Sequence, residues 1–212
     1  SQFKIPQNAR MNGNILSLLD PTNFETITTL PMYCFAYLFR DSSGDNNHGI
    51  VNVTSLTALY IGEEAYKEMF YACRSIVSAE EIKALTLGDR ACYSMFELCE
   101  EMKTYTGALA VTTLGTESLA RMFQYTTLTQ APTQIGTTNT IMKTQCCEYM
   151  FTSCEFENPP LLPSKNLQSK CYSYMFRNCR KMKQAPELPS LTIPANGYQF
   201  IARSEERRVG KE

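Results

Sequence analysis

The sequence predicts an α/β solenoid of about six coils, each a short strand plus a short helix, and three observations carry that expectation. A frame built from a small residue, an aromatic or apolar neighbour and a Met-Phe pair recurs along the chain. The recurrence keeps a period close to 26 residues. After each copy comes a short run in which an apolar position sits between polar or proline positions. Repetition at fixed period decides architecture before local propensity does, because each unit buries its apolar face only against its neighbours.

The clearest copy is Cys171-Tyr172-Ser173-Tyr174-Met175-Phe176-Arg177-Asn178-Cys179. Its phenylalanine has counterparts at Phe39, Phe70, Phe96, Phe123 and Phe151, with gaps of 31, 26, 27, 28 and 25 residues. The long first gap holds a polar Asn/Asp/Gly loop that includes His48. A small slot (Cys34, Ala65, Ala91, Ser118, Cys146, Cys171) is followed at i+4 by Leu38, Met69, Met95, Met122, Met150 or Met175. Another small residue comes at i+8: Ser42, Cys73, Cys99, Thr126, Cys154 or Cys179. Spacings of four with an adjacent second row predict the buried stripe of a short helix.

The second half of each unit opens on Ile50, Ile76, Met102, Leu128, Phe156 or Met182, spaced 26, 26, 26, 28 and 26 residues apart. Three residues later come Val53, Ala79, Tyr105, Ala131, Pro159 and Ala185, flanked on both sides by polar residues or proline. That out-in-out run predicts a brief strand with one solvent face. Pro132, Pro160 and Pro186 shorten the expectation in the later copies, because proline gives nothing to a ladder. The outward row Asn52, Ser78, Thr104, Gln130, Asn158 and Gln184 is the candidate binding face.

Residues 1–30 fit the repeat poorly and read as an N-terminal capping segment, with Asn14-Ile15-Leu16-Ser17-Leu18-Leu19 as a strand-like element before an Asp20-Pro21 turn. The solenoid is expected over 31–202. Residues 203–212 look like a non-native tail, the translated read-through of a sequencing adapter. Without them the charge is about −2 in place of −1. The natural sequence is therefore expected to be a fragment whose last coil, near Tyr198 and Phe200, exposes an apolar face and promotes self-association. A signal peptide is expected to have been lost upstream.

A period of about 20–29 residues belongs to leucine-rich repeats, whereas the main helical repeats need about 33–34. The run C-Y-x-Y-M-F-x-x-C-x-x-M-x-x-A-P-E-L-P at 171–189 resembles the BspA-like leucine-rich repeat surface proteins of Bacteroidales. The resemblance covers about residues 30–202; Thr126 and Ser42 depart from the cysteine of the M-F-x-x-C signature, and Cys92 from its aromatic slot. It implies an extracellular or cell-surface protein that takes part in adhesion or macromolecular recognition.

Composition narrows the rest. Hydrophobic content of 43% with 19% charge suits a folded chain, and the near-zero net charge gives no reason to expect nucleic acid. No apolar run reaches the roughly 18 residues needed to span a bilayer. Nine cysteines occur without a C-x-x-C and with a single histidine, so they read as buried packing thiols, with inter-coil disulfides or a metal site as the alternatives. No nucleophile elbow, zinc-helix or phosphate-loop motif occurs, so neither a catalytic residue nor a cofactor or metal is expected. The expected function is recognition of a protein or glycan through the strand face. A structural spacer, and more remotely a cysteine-based metal or redox protein, are the alternatives.

Overall fold

The computed structural model describes residues 9–11, 13–41, 49–189 and 194. His48, Ser42, Tyr198, Phe200 and the 203–212 tail lie outside them, as does the expected apolar C-terminal face.

The chain forms a parallel β-solenoid. One sheet has four strands in the order β1 (Ala9–Arg10), β3 (Ile50–Val53), β5 (Ser78–Ala79) and β7 (Thr104–Tyr105). The other runs β2 (Thr29–Leu30), β4 (Tyr60–Ile61), β6 (Thr86–Leu87), β8 (Thr113–Leu114), β9 (Ile141–Met142) and β10 (Asn166–Leu167). Every pairing is parallel. Among the described residues about four turns carry a strand in both sheets, and beyond Leu114 only the longer sheet continues as strands. The solenoid is therefore as expected, whereas six equal coils are not seen.

The expected helix in each coil is not what forms. Residues 32–39, 63–72, 116–125 and their counterparts are chains of consecutive turns. In the ribbon at 63–72, Glu64, Glu68 and Ala72 all take positive φ, at 51°, 50° and 59°. Alternate N–H groups bond three residues back within the coil, as from Lys67 to the Glu64 carbonyl at 3.2 Å and from Met69 to that of Tyr66 at 3.2 Å. The intervening ones cross to the next coil, from Glu68 to the Tyr93 carbonyl at 2.9 Å and from Phe70 to that of Met95 at 3.0 Å. Every second turn thus has its third residue in the left-handed region, the requirement of a type II turn.

The same buried stripe explains the misreading. A helix turns 3.6 residues at a time, so three steps of four drift steadily off one face, whereas this ribbon repeats every four residues. Ala65, Met69 and Cys73 stay inward with Tyr66 and Phe70 beside them. Left-handed backbone costs about 1–2 kcal/mol per non-glycine residue. Two or three such residues per coil make the ribbon unfavourable alone, and the inter-coil hydrogen bonds and burial must offset that cost.

The core is a set of ladders. Phe39, Phe70, Phe96, Phe123, Phe151 and Phe176 stack ring on ring with centroids 5.3–5.7 Å apart and planes within 18°. Met69, Met95, Met122, Met150 and Met175 are fully buried beside them. The short sheet contributes Val53, Ala79 and Tyr105, and the long sheet Leu30, Ile61, Leu87, Leu114 and Met142. Tyr105 fills a slot held elsewhere by alanine, valine or proline, and its hydroxyl accepts the Ile82 N–H at 2.8 Å.

The long sheet packs its backbones closely where it meets the ribbon. Gly62, Gly88 and Gly115 follow β4, β6 and β8, and each donates its N–H to the carbonyl of Leu30, Ile61 or Leu87 in the preceding coil. A Cβ at Gly62 would lie 2.7 Å from the Leu30 carbonyl oxygen and 2.8 Å from the Met32 nitrogen. The register that pairs Leu30 with Ile61 puts Pro31 at the equivalent place after β2. Proline has no N–H, so β2 lacks the donor its neighbours use, a common way to blunt a sheet edge.

The segment expected as a strand at 14–19 is instead a 3-10 helix over Ile15–Leu18. The Asn14 side chain accepts the Leu16 N–H at 3.0 Å, and only Ile15 and Leu16 are buried while Leu18 and Leu19 face solvent. Side-chain capping thus wins over the apolar run. The strand at this end is β1, nearer the N-terminus.

Candidate recognition face and cleft

Of the polar row read from the sequence, Asn52, Ser78 and Thr104 lie on the outer face of the short sheet, Gln130 joins it by one bridge, and Asn158 and Gln184 lie outside its strands. Asn52 pairs with Ser78, Ser78 with Thr104, and Thr104 with Gln130 in a single bridge. Asn52, Ser78 and Thr104 are half-buried, whereas Gln130, Asn158 and Gln184 are exposed. The Gln184 carboxamide donates to Asn158 Oδ1 at 3.5 Å. Strand register therefore places one such side chain per turn, about 4.8 Å from the next within the ladder.

Among the described residues the row's backbone ladder stops after Gln130, and proline is the reason. Ladder bonds run from Glu80 to the Val53 carbonyl at 2.9 Å and from Thr106 to that of Ala79 at 3.0 Å. The next donor in this series would be Pro132, then Pro160, then Pro186, none of which has an N–H. Coils stay joined on either side of the break, through Glu155 N–H to the Leu128 carbonyl at 2.9 Å and Leu161 N–H to that of Thr133 at 3.0 Å. Between those bonds a cleft of about 630 Å³ opens. Its lining includes Gln130 and Asn158 from the predicted row together with Pro132, Pro159, Glu155 and Lys181.

The charges at the cleft are paired across coils. Lys181 meets Glu155 at 2.9 Å and Lys183 meets Glu157 at 2.6 Å. The hydrogen bond from Lys181 holds the Glu155 carboxyl below its ordinary range.

No protein-family model, curated protein or solved structure matches the chain.

The cysteines form an interior row. All nine are free thiols, eight of them buried and Cys34 half-buried. Cys73, Cys99, Cys154 and Cys179 each donate to the carbonyl of the preceding coil's phenylalanine, at 3.0, 3.2, 3.3 and 3.0 Å. In the same slot Thr126 donates to its own coil's Phe123 carbonyl at 2.9 Å. Among the described residues no group of three or more His, Cys, Asp or Glu side chains is placed to hold a metal ion. Nor is any helix there long and apolar enough to cross a membrane.

Burial pushes the thiols of Cys73, Cys171 and Cys179 from 9.0 up to about 12, and raises those of Cys92, Cys99, Cys146 and Cys154 as well. A folded-state pKa above the unfolded one gives stability that is whole below the unfolded value and is lost as pH rises toward the folded value. Stability is therefore expected to fall between about pH 9 and pH 12. Thiol titration at neutral pH should label Cys34 alone in the native protein and all nine in denaturant. Labelling of several thiols without unfolding would contradict the buried row.

A second surface escaped the sequence reading. Tyrosines and arginines alternate along the outside of the turn ribbons: Arg121 lies 5.9 Å from the Tyr93 ring and 5.6 Å from that of Tyr149, which stacks on Tyr174 at 4.8 Å. The signal was present as tyrosine at 37, 71, 93, 125, 149 and 174, but a helical reading scattered these around a cylinder. Here the cations and rings engage one another.

Proposed function

We propose that this solenoid is a recognition module that binds an extended macromolecule, protein or glycan, along the outer face of its short sheet. The observation that carries the reading is the in-register alignment of Asn52, Ser78, Thr104 and Gln130, continued by Asn158 and Gln184 across the cleft. A partner with its own repeat can engage such a row one group per turn, which is how solenoids use their long surfaces.

The finer parts of the proposal rest on the sequence. The period, the M-F-x-x-C signature and six phenylalanine positions support a leucine-rich repeat of about six coils, similar to the BspA-like surface proteins of Bacteroidales. On that reading the protein is extracellular or displayed on the cell surface, takes part in adhesion, and needs no catalytic residue or cofactor.

Retention of the whole chain on immobilised extracellular-matrix proteins and on a glycan array tests this directly. At least one surface should hold the parent protein. A variant carrying alanine at all six row positions should keep its melting temperature and lose that retention. Unchanged retention would remove the row from the binding face.

One observation favours a spacer instead. The row is small and polar without the aromatic residues typical of hot spots, while the phenylalanine stack runs unbroken from 39 to 176 as a stiff axis. A parent protein that binds none of these surfaces would support that reading.

A further inference from the structure

We infer that the cleft between the 129–133 and 155–159 segments is a binding site for a neutral oligosaccharide. The inference rests on the recognition reading, since Gln130 and Asn158 belong to the proposed row, and it names the ligand class for that part of it.

The hydrogen-bonding inventory selects the ligand. Thr129 Oγ1 donates to the Lys103 carbonyl at 3.1 Å and Thr133 Oγ1 to that of Gly107 at 3.4 Å. Both hydroxyls have spent their proton and can only accept from a ligand. The Glu155 and Glu157 carboxylates add further acceptors. Donors come from the carboxamides and from Lys181: Asn158 uses Oδ1 to accept from Gln184, which leaves its Nδ2 to donate, Gln130 offers Nε2, and the Lys181 ammonium donates beside Glu155. The lining therefore offers both acceptors and donors, and the complementary molecule carries groups that do both, as hydroxyls do.

Charge separates the candidates. Lys181 and Lys183 neutralise Glu155 and Glu157, so neither a cationic nor an anionic ligand gains from the site and either would have to break those pairs. The lining has no aromatic ring, which disfavours a proline-rich peptide, whose grooves are aromatic. Its apolar part is the saturated surface of Ala131, Pro132 and Pro159. A chain of uncharged pyranoses carries many hydroxyl donors and saturated C–H faces. A volume of about 630 Å³ is of the size that small-ligand sites occupy.

Calorimetric titration of the whole chain with neutral hexasaccharides of glucose, mannose and galactose, a hexauronate and a proline-rich peptide tests the assignment. At least one neutral hexasaccharide should bind at millimolar concentration or below, more tightly than the hexauronate and the peptide. Gln130→Ala with Asn158→Ala should weaken it about tenfold or more, while Glu63→Ala with Lys143→Ala, exposed and outside both the cleft and the row, should leave it unchanged. Equal melting temperatures would confirm that both double variants fold. The assignment is overturned if no neutral hexasaccharide binds, if the hexauronate or peptide binds more tightly, or if the cleft variant binds like the parent. Loss of macromolecular retention in the six-residue variant without any sugar binding would sink the ligand class alone. Sugar binding at the cleft with retention unaffected by that variant would sink the wider recognition reading and leave the cleft assignment standing.

Discussion

Phe96→Ala is expected to destabilise the protein by about 3–5 kcal/mol, the largest effect of any single side-chain truncation considered. Phe96 is 1% exposed and lies between Phe70, 5.3 Å away, and Phe123, 5.7 Å away, with planes within 3° of both. Removing the ring takes away two stacking partners at once and leaves a cavity that cannot collapse, because the coils above and below are held by their own backbone bonds. Phe39→Ala is the comparison: Phe39 is only partly buried and, among the described phenylalanines, stacks on Phe70 alone. Urea denaturation should show a larger midpoint shift for Phe96→Ala than for Phe39→Ala. Equal shifts, or no shift, would mean that the ladder is not the core.

Gly88→Ala is the second large effect, expected at about 1–3 kcal/mol from overpacking. The added carbon would sit 2.7 Å from the Glu63 nitrogen and 2.9 Å from the Gly62 carbonyl carbon. Both are backbone atoms of the preceding coil, so no side chain can swing away. Relief requires the long sheet to open where Gly88 donates to the Ile61 carbonyl at 2.8 Å. The chain itself shows a correlate: where the glycine row gives way to Lys143, β8 and β9 share only the pair Thr113 with Ile141. A melting temperature equal to that of the parent would show that the coils have room to spare.

Much of the solenoid was legible because a stacked architecture writes each structural slot several times. The phenylalanine and methionine rows, the inward Val53, Ala79 and Tyr105, and the outward Asn52, Ser78 and Thr104 all fall where the repeat puts them. The ribbon was not legible, for a specific reason. Its left-handed positions are occupied by residues such as Tyr37, Glu68, Arg121 and Tyr149, and among the described residues only Asn178 is of a type that favours that region. Local preference carries no trace of a conformation imposed by hydrogen bonds to neighbouring coils. Over the few residues of each copy, a period of four also passes for a period of 3.6.

The long sheet was missed because its strands are two residues each, as in Thr86–Leu87 ahead of Gly88 and Thr113–Leu114 ahead of Gly115. One inward residue per strand gives no alternation to detect; the recurring Thr-Leu-Gly was the available signal. The register of Asn52, Ser78, Thr104 and Gln130 was visible and the cleft was not. Pro132, Pro160 and Pro186 suggested only shortened strands. Their effect on the acceptor carbonyls of the preceding coil requires the register, which places proline where Glu80 and Thr106 donate.

Each coil's second face is a turn ribbon bonded across coils, and the Phe70 N–H reports on that bonding. Hydrogen-bond scalar coupling measured by NMR on isotope-labelled protein reports which carbonyl accepts a given N–H. Phe70 should couple to the carbonyl of Met95, its partner at 3.0 Å in the next coil. Coupling to the carbonyl of Tyr66, four residues back, would mean an α-helix and would contradict the account.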